Sequence, residues 1–361
     1  MRAAPWPHPV EIPEGTLEGG RVVVGAGRGA SLLHSKGSHG TPLPGGALGL
    51  SLAEAAYLLE AGRLKVRKGG GLARLEDILL EGAETDERFE LRYLVYRDYR
   101  ERGYVVREEG AAARMDFSVR PRGAPAKAPS KSWVIALSER SDFSAAAVLE
   151  YVERAERLGK EALVAVVDEE GDITHYSFTP GLKAHRGSAP ALPKAHGVLS
   201  GNHVLVAGEG AAALHEAEPL IGKPLKHLLR LSLLEAAYLA LEGKLAVSHG
   251  GQGLGDERLV ALASKDQGDF PLRLTVYRAL RARGLAPKTG FKYGAHFRVY
   301  DRAGGSTHAR YLVQVVPREY SAPWPELARA VRLSHGVRKR LVLAVTGSAE
   351  PAFLEVAWVR P

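Results

Sequence analysis

The chain contains no cysteine, which excludes disulfides, thiolate nucleophiles and cysteine-based zinc sites. Catalysis would therefore have to use Ser, Thr, Tyr, His, Lys or carboxylate side chains. Methionine occurs twice and asparagine once in 361 residues. This shortage of heat-labile residues indicates a thermophilic source, although a biased genome would leave the same trace. The sequence has no run of about 18 apolar residues, so we expect no membrane span.

The N-terminal residues and the charge narrow the class of protein further. MRAAPWPHPVEIPEG places prolines where a signal peptide needs an apolar core, which predicts a cytoplasmic protein. Hydrophobic residues make up 45% of the chain and charged residues 25%, as in ordinary globular proteins. The net charge of +8 favours polyanionic partners, because neutralised phosphates release counterions. Alone this is a weak indication, since many basic proteins never bind nucleic acid.

The chain contains an internal duplication. SLAEAAYLLEAGRL at 51–64 returns as SLLEAAYLALEGKL at 232–245, and LRYLVYRDYRERG at 91–103 returns as LRLTVYRALRARG at 272–284. Both pairs are 181 residues apart, and a constant offset over such a length indicates two copies of one unit. We place the first copy at 1–180, a Pro/Gly/Ala-rich linker at 181–196 and the second copy at 197–361.

Each copy has a mixed α/β pattern. Ser51 with Glu54, and Ser232 with Glu235, form the S-x-x-E capping box that begins a helix. Short β-like runs such as SWVIAL and RYLVQVV follow in the second half of each copy. The predicted fold class is α/β (α+β), with tandem units that each join an N-terminal helical/β subdomain to a C-terminal mixed α/β nuclease-like subdomain.

Three segments of the second copy resemble the C-terminal signature of archaeal tRNA-splicing endonucleases. They are FKYGAHFRVY at 291–300, THARYLVQVVP at 307–317 and LARAVRLSHGVRKRLVLAV at 327–345. The resemblance implies an enzyme that removes introns from precursor tRNA at bulge–helix–bulge sites without metal or cofactor, leaving 2′,3′-cyclic phosphate and 5′-hydroxyl ends. It also implies a catalytic set at Tyr300, His308 and Lys339.

These three residue types fit the chemistry that the resemblance implies. The attacking 2′-hydroxyl must lose a proton, the leaving 5′-oxygen must gain one, and a cation can stabilise the charged phosphorane. His308 suits the proton donor, Lys339 suits the charge, and Tyr300 takes the remaining role. Each also has an ordinary interpretation, as a strand aromatic, a loop histidine or a helix-end cation, and only their joint placement favours catalysis.

The second copy departs from the family pattern at two positions. His296 stands where Asp or Glu is usual, and Ala309 stands where Ser often follows the catalytic histidine. His296 and His335 therefore remain alternative proton donors. Arg332, seven residues before Lys339, matches a family arginine that stacks on a bulged base, as guanidinium planes do well; a solvated helix arginine is the alternative.

The first copy lacks this set. Arg120 stands in place of Tyr300, and aligning WVI with YLV puts Ser130 in place of His308. Lys160 matches Lys339, but a lysine alone cannot carry out the proton transfers. We therefore expect the first copy to be non-catalytic.

An acidic loop gives the first copy a different role. Asp168, Glu169, Glu170 and Asp172 lie in VVDEEGD, and the family resemblance implies that such a loop docks into a basic pocket of the catalytic unit of a partner chain. This predicts a homodimer, whereas a solvated hairpin turn is the alternative. Two other functions stay open: a non-catalytic RNA-binding or structural subunit, and a magnesium-dependent nuclease, for which we find no carboxylate cluster.

Overall fold

A computed structural model describes residues 11–110, 113–125, 128–182, 191–301 and 308–361. The chain divides into two compact units, one formed by Met1–Asp142, Glu150–Phe178 and Trp358–Pro361, the other by Phe143–Leu149 and Thr179–Ala357. Much of the predicted linker at 181–196 falls outside the described residues. Among the residues that are described, no helix is long and apolar enough to cross a membrane.

The same order of elements occurs twice along the chain. The first set is β1 Glu14–Glu18, β2 Arg21–Val24, α1 Arg28–Ser31, β3 Thr41–Pro42, β4 Leu48–Leu50, α2 Leu52–Glu60, β5 Lys65–Lys68, β6 Gly71–Leu72, α3 Leu75–Thr85, α4 Phe89–Glu101, β7 Val105–Glu108, β8 Phe117–Arg120, β9 Ser132–Ser138, β10 Asp142–Ser144, α5 Ala145–Arg157, β11 Glu161–Val167 and β12 Ile173–Pro180.

The second set follows in the same order. It is β13 Ala195–Ser200, β14 His203–Ala207, α6 Gly208–Ala217, β15 Lys223–Leu225, β16 Leu228–Ser232, α7 Leu233–Leu241, β17 Leu245–His249, β18 Gln252–Leu254, α8 Asp256–Asp266, α9 Phe270–Ala282, β19 Leu285–Thr289, β20 Phe297–Asp301, β21 Tyr311–Pro317, β22 Ser321–Pro323, α10 Trp324–Gly336, β23 Arg340–Thr346 and β24 Ala352–Val359. One-turn helices add Leu32–Lys36, Pro44–Gly46 and Phe291–Tyr293.

The N-terminal part of each unit is a small mixed sheet with helices. The strand order is β3-β4-β2-β1-β5-β6 in the first unit and β15-β16-β14-β13-β17-β18 in the second. Helices begin where the capping boxes predict: the Ser51 hydroxyl accepts the N–H of Glu54, and Ser232 does the same for Glu235. Each box satisfies backbone donors that the first helical turn leaves unpaired.

The C-terminal part of each unit contributes five neighbouring strands of a sheet. Their order is β7-β8-β9-β11-β12 in the first unit and β19-β20-β21-β23-β24 in the second, antiparallel except for the central parallel pairs β9–β11 and β21–β23. In the second unit the buried face of α9 contributes Leu274, Val276, Tyr277 and Leu280 to a core that also contains Val313 and Val342. The predicted class, tandem α/β units with an N-terminal and a nuclease-like C-terminal subdomain, is confirmed.

Candidate active site

The segments that carry Tyr300, His308 and Lys339 meet at one end of the second unit's sheet. Val299 pairs with Tyr311 across β20 and β21, and Tyr311 pairs with Arg340 across β21 and β23. The Arg310 N–H donates to the Val299 carbonyl at 2.9 Å, and the Arg340 N–H donates to the Arg310 carbonyl at 3.0 Å. The register therefore brings the end of β20 beside the starts of β21 and β23.

Each of the three side chains lies at this end of the sheet in a different environment. Tyr300 is half-buried on β20, His308 is exposed shortly before β21, and Lys339 is half-buried directly before β23. The connection at 302–307 lies outside the described residues. A phenol, an imidazole and an ammonium group thus lie on three neighbouring backbone segments at this end of the sheet: the end of β20 and the residues just before β21 and β23.

A left-handed turn connects α10 to β23 and positions Lys339 directly before the strand. Helix α10 ends at Gly336, Arg338 adopts a positive φ of 54°, and the Lys339 N–H donates back to the Ser334 carbonyl at 2.8 Å. This closes the helix in the way that usually selects glycine, because a side chain at that φ meets its own backbone. In the first unit the same turn has Gly159, with φ of 65°, before Lys160.

The two lysines have different surroundings. The Lys339 Nζ lies 5.3 Å from the centre of the Tyr293 ring and 3.5 Å from the Val337 carbonyl oxygen. A ring face at this distance attracts an ammonium group without accepting a conventional hydrogen bond from it. Lys160 Nζ instead donates to the Ser130 carbonyl. We did not identify Tyr293 from the sequence, because its proximity to Lys339 depends on how the Phe291–Tyr293 turn packs.

Arg298 accompanies Tyr300 on one face of β20. The two residues are two positions apart on the strand, and the Arg298 guanidinium lies 5.7 Å from the Tyr300 ring centre. Their neighbours Phe297 and Val299 point to the opposite face and belong to the apolar core. Alternation along the strand thus separates a polar face, which carries Tyr300, from the packed face.

Both ring nitrogens of His296 have partners, one in the backbone and one in a side chain. The Val315 N–H donates to its Nδ1 at 3.0 Å, and its Nε2 lies 3.3 Å from a carboxylate oxygen of Asp269. Burial lowers the pKa of His296, the Arg273 guanidinium lowers it further, and Asp269 partly offsets both. Since Nδ1 accepts the Val315 N–H, it must be unprotonated there. These contacts favour a structural His296 over a proton donor.

In the first unit an aspartate–arginine pair takes the place of the histidine–aspartate pair beside the same strand N–H. The Asp116 carboxylate accepts the Ala136 N–H at 2.8 Å and the Arg88 guanidinium at 2.8 Å. Asp116 therefore occupies the position of His296, and Arg88 occupies that of Asp269. The usual acidic residue of the family pattern is present in the first copy, whereas an imidazole accepts the same strand N–H in the second.

This exchange predicts the effect of altering His296. His296→Ala should lower the free energy of unfolding by about 1–3 kcal/mol, the cost of leaving the buried Val315 N–H unpaired. The double variant His296→Asp with Asp269→Arg reproduces the first unit's pair and should recover most of the loss in thermal denaturation. If the alanine variant melts normally but loses cleavage, His296 acts in the chemistry and the structural interpretation is wrong.

The same side chain has a predictable pH dependence. A histidine whose pKa is lowered by folding contributes stability that is present above its ordinary value of 6.5 and is lost as the pH falls below it. We expect the double variant to lose less stability than the wild type between neutral and mildly acidic pH.

The first unit's strand register corrects one alignment. Val119 pairs with Ser132 as Val299 pairs with Tyr311, and the Lys131 N–H donates to the Val119 carbonyl as that of Arg310 does to Val299. The position of His308 is therefore taken by Pro129, and the expected Ser130 was wrong by one residue. The alignment from short apolar runs missed this because strands β9 and β21 offer several near-equivalent registers.

The acidic loop is an exposed hairpin turn between β11 and β12. The Asp168 carboxylate accepts the N–H groups of Glu170 at 3.0 Å and Asp172 at 2.9 Å, so it holds the turn together. Glu169 forms an ion pair with Arg140 at 2.5 Å. Glu170 and Asp172 are exposed and carry no ion pair within the described residues.

Two further candidates lie on helix α10. Arg332 and His335 are both exposed, on the helix that leads to Lys339. Within the described ranges, no three His, Asp or Glu side chains are arranged to hold a metal ion.

Comparisons with known proteins agree with this architecture. Residues 89–175 and 270–351 match the family described as tRNA intron endonuclease, catalytic C-terminal domain, and residues 13–79 and 195–260 match its N-terminal domain. The chain is 36% identical to a tRNA-splicing endonuclease of Methanosarcina mazei, over 95% of this chain and 98% of that protein. It is 37% identical to one of Natronomonas pharaonis, over 96% and 98%.

Both halves of the family's domain pair occur twice in this chain, and the similarity extends over nearly its whole length. The chain belongs to the tRNA intron endonuclease family. The resemblance seen in three segments of the sequence is therefore confirmed. Relatives that carry the name tRNA-splicing endonuclease include a third archaeal protein, from Methanococcoides burtonii, at 35% identity over 86% of this chain and 90% of that protein.

Proposed function

We propose that this protein is a metal-independent RNA endonuclease that removes introns from precursor tRNA at bulge–helix–bulge sites. Membership of the family supports the cleavage of precursor tRNA. The observation that carries the finer proposal is the strand register that places the segments of Tyr300, His308 and Lys339 at one end of one sheet. The products are a 2′,3′-cyclic phosphate and a 5′-hydroxyl.

The three side chains divide the reaction between them. The phenolate form of Tyr300 accepts the proton of the 2′-hydroxyl, whose oxygen forms the new bond to phosphorus. His308 donates a proton to the 5′-oxygen as its bond to phosphorus breaks. Lys339 stabilises the extra negative charge of the phosphorane, and the Tyr293 ring helps to hold its ammonium group in the site.

One active site in each chain fits the differences between the units. The first unit has Arg120, Pro129 and Lys160 in the corresponding places, so it retains the cation without either proton-transfer group. An RNA with two bulges needs two cleavages, and a homodimer supplies two sites. We propose that the acidic loop of the first unit docks on the second unit of the partner, because Glu170 and Asp172 present exposed charge on a net-basic chain.

Arg332 is proposed to bind a splayed base of the bulge. Its side chain is exposed on α10 and has no carboxylate within ion-pair distance among the described residues. Single-stranded RNA bases are commonly held by stacking on a guanidinium or aromatic plane.

A non-catalytic RNA-binding or structural subunit is the alternative function. The first unit illustrates what such a chain would contain, since it has the fold without the tyrosine and histidine. The second unit keeps both residues, which favours catalysis.

The metal requirement is the experiment that tests the chemistry. Cleavage of a bulge–helix–bulge RNA by the purified protein should proceed in excess chelator at the rate seen with added magnesium, because the proposed proton transfers use side chains only. The rate is measured in single turnover, with both conditions matched in ionic strength. Activity that vanishes with chelator and returns with magnesium would mean that the mechanism is wrong.

A further inference from the structure

At two matched exposed positions, helix α5 carries a glutamate where helix α10 carries an arginine. The two helices are equivalent in the two copies of the repeat, since the Lys160 N–H closes α5 on Ala155 as the Lys339 N–H closes α10 on Ser334. Two buried positions match in type: Val148 and Val152 in α5 correspond to Leu327 and Val331 in α10. Other inward positions differ, since the buried Tyr151 in α5 corresponds to Ala330 in α10.

Three exposed positions of α10 and of the turn that follows it are basic, whereas Glu326 in the first turn of the helix is an exposed acid. Arg329, Arg332 and Arg338 form what we call the basic face, and all three are exposed. None of them has a carboxylate within ion-pair distance in the described part of the chain. Arg329 and Arg332 lie three residues apart, which puts them on one side of the helix about 4.5 Å apart along its axis.

The corresponding positions of α5 are acidic or uncharged. Glu150 stands in place of Arg329, Glu153 in place of Arg332, and Gly159 in place of Arg338. Glu156 adds a further exposed carboxylate in place of His335, and with Glu150 and Glu153 it forms the acidic face. Glu150 pairs with Arg114 at 2.7 Å, whereas Glu153 and Glu156 form no ion pair with a described residue.

Arg338 is not the residue that best stabilises the turn in which it lies. Its φ of 54° is a strained conformation for a non-glycine residue, and the exposed side chain recovers little of this cost by packing. Gly159 adopts the same turn in the first unit without that cost. An arginine at this position therefore places a charge directly before Lys339 at the expense of local stability.

We propose that Arg329 and Arg338 of the basic face form a track for the phosphate backbone of the strand whose base Arg332 binds, leading to Lys339, and that the acidic face of α5 repels RNA from the same place on the first unit. This inference rests on the proposed function and extends it from the reacting phosphate to the flanking strand. Phosphate contacts of this kind position a nucleic acid without reading its sequence. The acidic face makes the two units inequivalent to RNA, so the strand binds where the active site is.

Binding of an uncleavable RNA tests the track separately from the chemistry. The probe is a bulge–helix–bulge RNA with 2′-deoxy nucleotides at both cleavage positions, titrated over a range of salt concentrations. Arg329→Glu introduces the residue type that the first unit has at the matching position, Glu150. Arg338→Gly likewise introduces the glycine found there as Gly159. Each should weaken binding several-fold and reduce the slope of log K against log salt by about 0.7–0.9, the contribution of one phosphate contact. Arg338→Gly should also raise the melting temperature slightly.

The matched control is Lys223→Glu, because Lys223 is an exposed cation of the same unit outside this face. It changes net charge as much as Arg329→Glu and should leave the slope almost unchanged. In the opposite direction, Glu150→Arg with Glu153→Arg should tighten RNA binding without raising the cleavage rate. Equal effects of Arg329→Glu and Lys223→Glu would overturn the track. If the variants change binding as expected but the wild-type protein does not cleave the unmodified RNA, the proposed chemistry is wrong and the track is not.

Discussion

His308→Ala should lower the single-turnover cleavage rate by about 10²–10⁴, the usual contribution of a positioned general acid. The leaving 5′-oxygen would then depart as an alkoxide, with only water to protonate it. RNA affinity should hardly change, because the proposed role of the exposed His308 is the proton transfer and not the holding of the RNA. The measurement is the rate at saturating enzyme, with affinity determined on the 2′-deoxy RNA.

Two variants provide matched controls for this prediction. Lys160→Ala removes the lysine of the first unit, whose Nζ donates to the Ser130 carbonyl, and should leave cleavage nearly intact. His296→Ala should act on stability rather than on rate, because His296 accepts the Val315 N–H. If His296→Ala abolishes cleavage in folded protein while His308→Ala is mild, the assignment of the proton donor to His308 fails.

Reversing the charge of the acidic loop should dissociate the proposed homodimer and reduce cleavage with it. The structure sharpens the choice of residues: Asp168 holds the turn through two backbone N–H groups, so it should stay. Glu169→Lys, Glu170→Lys and Asp172→Lys together place like charges against a basic partner surface, which costs several kcal/mol. Sedimentation of the variant should give the monomer, and added salt should weaken the wild-type dimer modestly.

An equal change of charge elsewhere in the first unit is the control for this variant. The control variant is Glu84→Lys, Glu87→Lys and Glu90→Lys, which alters three exposed acids between the end of α3 and the start of α4. It should leave the dimer intact. If the loop variant still sediments with the wild-type dimer, the loop is a solvated turn and the dimer rests on other surfaces.

The duplication and the main helices could be predicted from the sequence because their signals are local. Ser51 with Glu54 and Ser232 with Glu235 begin helices by contacts within one turn, and both helices form. Gly103 and Gly284 adopt the positive φ that ends α4 and α9. The family signature likewise depends on short segments, which is why the resemblance was visible in the second copy.

The features that escaped prediction depend on packing between segments distant in sequence. The offset between the copies changes from 181 at the capping boxes to 179 at β9 and β21, which put Pro129 rather than Ser130 at the place of His308. The contact of Tyr293 with Lys339 joins residues 46 positions apart in the sequence. Asp116 and His296 share a role because each accepts a strand N–H, and that N–H comes from a strand that the sequence does not identify as a neighbour.

The ends formed on a bulge–helix–bulge RNA by the protein alone test the central claim most directly. The purified chain is incubated with an RNA that carries both bulges, beside a fully paired duplex of the same length, and the new termini are identified by mass spectrometry. We expect cleavage at both bulges with 2′,3′-cyclic phosphate and 5′-hydroxyl ends, no cutting of the duplex, and loss of the products in His308→Ala. Products that end in 3′-hydroxyl and 5′-phosphate groups, or equal cutting of the duplex, would contradict an active site built from Tyr300, His308 and Lys339.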